Sequence, residues 1–149
     1  MQPSTLIQPT VEYIESMVPL RYPVLLVDRV LEWTPGERIT ALKCFTTNEP
    51  CFGTNVSEFN QPFEATMIES MVQVAGLTLP KRAGKYVYLL GLSNVEIHRR
   101  TQFGEMVITT AQKQWLRGNM FRIKAESKAD GELLISGEIT YVYLDAVDE

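Results

Sequence analysis

The sequence predicts an α+β domain in which one long apolar helix lies against a long antiparallel sheet. Three observations carry that expectation. Residues 65–77 are apolar on nearly every side, the pattern of a helix buried all round. Extended apolar and aromatic runs follow it, separated by the turn sequences Gly118-Asn119 and Ala129-Asp130-Gly131, which read as hairpins. These runs are about ten residues each, longer than the usual strand of ~5–6. Long strands curl, and a curled antiparallel sheet can wrap one helix.

The elements follow in order. Val11, Ile14, Met17 and Val18 give a short helix over 11–17, stopped by Pro19. Residues 24–33 read as a strand and 34–37 (Thr-Pro-Gly-Glu) as a turn. The second hairpin strand, 38–47, alternates Ile39, Ala41, Lys43 and Phe45 against Leu42 and Cys44. Residues 49–62 are irregular. Pro62 suits a first helical turn with Asn60 or Gln61 as cap, and the long helix runs to about Leu79, where Pro80 and Gly84 end it. Strands are expected over 86–97, 106–116 and 121–128, with a last one ending near Leu144.

A chain of 149 residues makes one domain, 1–149, with residues 1–20 as an N-terminal helical segment. Its net charge of −4 argues against a nucleic-acid module, which needs a basic stripe. The N-terminus shows no export signal, and no stretch reaches the roughly 20 apolar residues of a membrane span. Cys44 and Cys51 form no C-x-x-C pair, and His98 is the single histidine, so neither a zinc nor a His-rich metal site is expected. The expectation is a cytoplasmic protein without a metal. An outer sheet face with few charges favours a dimer that joins two sheets.

Glu69 is the residue out of place. An ionised carboxylate in an apolar helix is costly unless paired or put to use. The polar loop 51–58 just upstream could supply a partner, but it contains no histidine. Gln73, one turn after Glu69 on the same face, either orients that carboxylate or makes a polar dimer contact. Met67, Ile68, Met71, Val72 and Ala75 are core, and secondarily the wall of an apolar tunnel.

Three segments resemble the (3R)-hydroxyacyl-carrier-protein dehydratases of type II fatty acid synthesis. Residues 19–30, PLRYPVLLVDRV, are similar to the family's P-H-R-Y-P-F-L-L-V-D-R-V. Asn48-Glu49-Pro50-Cys51-Phe52 is similar to N-E-P-F-F, and residues 67–73, MIESMVQ, resemble L-I-L-E-A-M-A-Q. Gly91-Leu92 and Phe103-Gly104-Glu105 fall where the family has G-I and P-G-D. The resemblance spans roughly residues 12–144 and implies the hotdog fold, a long central helix wrapped by a curved antiparallel sheet. It also implies an acyl thioester substrate carried on the phosphopantetheine of a carrier protein or coenzyme A, and no other cofactor. A homo-oligomer follows as well, either a dimer or a trimer of dimers.

The family's loop G-H-F-P-G-x-P carries a catalytic histidine, and Asn55 stands in its place. Phe63-Glu64 replaces the P-G whose glycine N–H polarises the thioester carbonyl. Glu69 alone matches among the catalytic residues; Gln73, Phe63, Glu64 and Gly91 are the substrate-binding candidates. Three functions stay open. The first is a dehydratase with an atypical site. The second is a thioesterase like other hotdog proteins that pair a loop amide with a helix carboxylate; here Asn55 and Glu69 stand fourteen positions apart. The third is a non-catalytic partner in a dehydratase heterodimer. Asn55 also reads as an ordinary turn residue, and Glu69 as a hydrogen-bonded core carboxylate.

The remaining candidates are weaker. His98, beside Arg99 and Arg100, reads as a surface residue, and Cys51 as packing. Lys81, Arg82, Lys85, Arg99 and Arg100 form either a basic patch for an acidic carrier protein or a solvated surface.

Overall fold

The computed structural model describes residues 10–49, 62 and 64–145. A short helix, α1 (Val11–Met17), leads to the hairpin β1 (Arg29–Thr34) and β2 (Arg38–Cys44). The long helix α2 (Glu64–Leu77) is followed by β3 (Lys85–Ile97), β4 (Met106–Arg117), β5 (Met120–Ala129) and β6 (Glu132–Asp145). The strands form one antiparallel sheet in the order β1-β2-β4-β5-β6-β3. Helix α2 packs across β2, β4, β5 and β6. This is the α+β, hotdog arrangement that the sequence predicts. Among the described residues no helix is long and apolar enough to cross a membrane.

Alternation along each strand sets the inner face. Ile39 and Ala41 of β2, Ala111 of β4, Ile123 and Ala125 of β5 and Ile139 of β6 are all essentially inaccessible. They meet Met67, Met71, Val74 and Ala75 of α2 in one core. At Gly137 of β6 an added Cβ would lie 3.3 Å from Met71 Cε and 3.2 Å from Val95 Cγ2. Met71 is fully buried at this contact, so Met71→Ala leaves a cavity that its neighbours fill only partly. That variant is expected to lose about 2–5 kcal/mol of stability, measured by urea unfolding.

Lys43 lies on the inner face with Ile39, Ala41 and Phe45, as the alternation predicts. It is buried, and its ammonium is held by Glu49 at 2.7 Å and Asp28 at 3.4 Å. Asp28 also accepts from the Cys44 N–H at 2.7 Å, so the entry to β1, the end of β2 and Glu49 are tied together.

Two expected boundaries move. The strand expected from residue 24 begins only at Arg29. Val24 and Leu25 donate to the Arg21 carbonyl in a turn, and the Val24 and Leu26 backbone then pairs with side chains of α2 instead of a strand. Pairing with β2 takes over at Asp28, whose N–H reaches Leu42 O at 2.9 Å. The second strand ends at Cys44 rather than Thr47, because Phe45 turns to exchange backbone hydrogen bonds with Gly104 and Glu105.

That turn before β4 is fixed by ions. Arg99 donates to Glu105 at 2.9 Å and 3.1 Å and to Glu132 at 2.8 Å, while Glu105 also accepts from Thr101 and from the Gln102 N–H. The guanidinium and these hydrogen bonds hold the Glu105 carboxyl down at about 2. Since its folded value lies below the ordinary 4.5, its contribution to stability is present above that pH. The contribution is lost as pH falls toward about 2. Thermal unfolding followed from pH 6 down to pH 2 should show this loss, and Glu105→Gln should flatten it.

Candidate functional site

Beyond Glu64, helix α2 carries its polar residues as one stripe. Glu69, Ser70 and Gln73 fall on the same side because positions three and four apart share a helix face. The stripe faces the chain at residues 24–26. Ser70 Oγ donates to Leu26 O at 3.0 Å. Gln73 Oε1 accepts from the Leu26 N–H at 2.7 Å, and its Nε2 donates to Val24 O at 2.8 Å. The same Nε2 donates to Glu69 Oε1 at 2.9 Å. Glu69 is therefore a half-buried carboxylate with one oxygen held by an amide.

Behind it, Tyr141 of β6 is buried and its hydroxyl donates to Val72 O. Burial, and then the negative charge of Glu69, push that hydroxyl well above its ordinary range, so Tyr141 stays neutral. Met67 and Met71 are buried on the same helix. A carboxylate against this wall can exchange a proton with a substrate, activate water or attack a carbonyl.

The other sequence candidates are scattered. Glu64 is exposed at the start of α2 and accepts from Arg100 at 2.9 Å. Gly91 sits on edge strand β3 at a bulge, with open space where a Cβ would be. Asn55, Phe63 and Cys51 lie outside the described residues. His98 is exposed and 3.8 Å from Glu96.

The five basic residues do not make one patch. Lys81, Arg82 and Lys85 precede or begin β3, whereas Arg99 and Arg100 follow it. At about 3.3 Å per residue, that strand of 13 residues sets up to roughly 40 Å of chain between the groups. Most of their charge is also engaged. Arg99 is bound by Glu105 and Glu132, Arg100 by Glu64 and Lys85 by Asp145, while Arg82 stacks 4.3 Å from the centre of the Tyr143 ring.

Ser70 and Tyr141 are site residues that sequence reasoning missed. The helical period was enough to place Ser70 beside Gln73. Tyr141 comes from a strand 69 residues after its partner Val72, and nothing local marks it.

Helix and sheet together define the hotdog fold, with the Glu69 carboxylate on its long helix. No family model matches the chain. It is 35% identical over 131 residues to the 3-hydroxyacyl-[acyl-carrier-protein] dehydratase FabZ of Streptococcus thermophilus, covering 86% of this chain and 92% of that protein. The chain belongs to the FabZ family. Among solved structures it is similar to Cj0977, a sigma28-regulated virulence protein of Campylobacter jejuni. The TM-score is 0.71 at 12% identity, over 89% of this chain and 97% of that one. It is also similar to the dehydratase heterocomplex ApeI:P of Xenorhabdus doucetiae, with a TM-score of 0.66 at 14% identity, over 89% and 91% of the two chains.

Proposed function

We propose that this protein is a 3-hydroxyacyl-thioester dehydratase with an altered active site, and that Glu69 is its acid–base residue. The substrate is a 3-hydroxyacyl chain on the phosphopantetheine of a carrier protein or coenzyme A, and no further cofactor takes part. The observation that carries this reading is the carboxylate of Glu69 on α2, with one oxygen held by Gln73. Elimination takes the proton from C2, expels the hydroxyl from C3 as water and leaves a 2-enoyl thioester. Asn55 cannot accept a proton at neutral pH. Its amide instead donates to the thioester carbonyl as charge develops there. Glu69 then serves the C2 proton and the departing hydroxyl in turn.

The test is conversion of 3-hydroxyacyl-CoA and carrier-bound substrates of several chain lengths to the 2-enoyl product, followed by absorbance. No product at any length would exclude the reading. Free thiol released from acyl-CoA, with dependence on Glu69, would instead favour a thioesterase in which Asn55 and Glu69 act together. Co-purification with a histidine-bearing homologue, and activity only in that mixture, would make the chain one half of a heterodimer.

A dimer is part of the proposal. Strand β3 is one edge of the sheet, and Tyr86, Val87, Tyr88, Leu89, Leu90 and Leu92 along it are 40–59% exposed. A long apolar edge of this kind is a template for pairing. A second copy meeting it through its own β3 would join two sheets and cover these side chains.

A further inference from the structure

Gly76 stands on helix α2 where the fold has no need of a glycine. It lies inside the helix, one residue before the end, and its backbone is not in the left-handed region that a glycine cap occupies. Beyond its own helix, the three atoms nearest to an added Cβ would all belong to Tyr141. They lie at 3.6 Å (the hydroxyl) and 3.8 Å (Cε1 and Cζ), which is ordinary van der Waals contact, so alanine fits. Glycine is also the poorest helix former after proline. Neither backbone conformation nor packing within the chain accounts for the missing side chain.

What the glycine leaves is room on the face that carries Glu69. Gly76 follows Glu69 by seven residues, two turns along one side of the helix. From Met71 to Leu79 it is the one residue that is not buried. Tyr141 runs beside both turns, and its hydroxyl donates to Val72 O, between Glu69 and Gly76. The two directions away from Glu69 differ in chemistry. Toward the helix start lies the exposed ion pair of Glu64 and Arg100, whereas toward Gly76 lie Val72 and the Tyr141 ring. The polar carrier arm of a thioester suits the first direction, and a hydrocarbon chain suits the second.

We infer that Gly76 is a specificity-determining residue, whose lack of a side chain makes room for the acyl chain of the substrate beyond C3. This role rests on the reading of Glu69 as the group that serves C2 and C3. Seven residues of helix span about 10 Å, the length of roughly eight carbon–carbon bonds in an extended chain. Gly76 therefore meets the chain near C11, and the substrates are medium to long 3-hydroxyacyl thioesters.

Steady-state kinetics of the wild type, Gly76→Ala and Gly76→Leu with 3-hydroxybutyryl-CoA and 3-hydroxydodecanoyl-CoA test the role. The wild type should favour the dodecanoyl substrate. In Gly76→Leu the dodecanoyl-to-butyryl ratio of kcat/KM should fall at least tenfold, the scale on which apolar pockets resolve single carbons. Damage to the fold would lower both substrates together and leave the ratio where it was. Gly76→Ala decides if the leucine variant does not fold: it should melt no lower than the wild type and still lower the ratio at least twofold. An unchanged ratio in the deciding variant, or a wild type that favours the butyryl substrate, overturns the role. If the wild type dehydrates neither thioester, the proposed reaction falls by itself. Calorimetric titration with butyryl-CoA and dodecanoyl-CoA then decides on Gly76 by the same ratio of affinities, and dodecanoyl-CoA that does not bind overturns it.

Discussion

Glu69→Gln is expected to lower dehydration of a 3-hydroxyacyl thioester by about 10² to 10⁴, the usual cost of one positioned acid–base group. The substitution is nearly isosteric. The new amide oxygen can still accept from Gln73 Nε2, so the helix contact at 2.9 Å survives. It also removes a charge from a half-buried position, so the thermal midpoint should hold or rise slightly. Activity and stability therefore move apart, which a core carboxylate with no chemical role would not produce. The measurement is kcat/KM for the enoyl product in both directions, beside a thermal melt. A rate within threefold of the wild type would return Glu69 to the core. The same variant should abolish thiol release if the substrate is hydrolysed instead, so the product identifies the reaction and the loss identifies the residue.

The sequence made Glu69 and Gln73 legible because their relation is local: four residues on one helix fix one face. The sheet was legible for the same reason, since alternation and turn sequences are read within a few residues. What escaped reading depends on distant partners. Residues 24–28 look like a strand by composition, yet Val24 and Leu26 find their hydrogen bonds on the side chains of Ser70 and Gln73. The division of the basic residues depends on the length and direction of β3. Its two bulges, at Leu89/Gly91 and Ser93/Glu96, have one local mark each, Gly91 at the first and Asn94, in the left-handed region at φ 51, at the second. Asn tolerates that conformation better than most residues, but an isolated Asn within a strand pattern does not announce it.

Placing charge on the β3 edge is expected to separate the dimer and to remove activity with it. Leu89 and Leu90 are 49% and 58% exposed, so Leu89→Lys with Leu90→Lys meets solvent freely in a lone chain and should leave its folding intact. In a β3-to-β3 pair the same charges would be buried without partners, at a cost of about 3–5 kcal/mol. With every 1.4 kcal/mol worth tenfold, the dissociation constant should rise by roughly 10² to 4 × 10³. Light scattering across a dilution series reads that change directly. Leu116→Lys is the control: Leu116 is also 45% exposed, but on β4, and its replacement should leave the mass unchanged. Turnover decides what the dimer is for. If residues from both copies complete the site around Glu69, activity should fall with the dimer fraction as the protein is diluted. A monomeric variant that keeps full turnover would confine the site to one chain, and the apolar edge would then serve assembly alone.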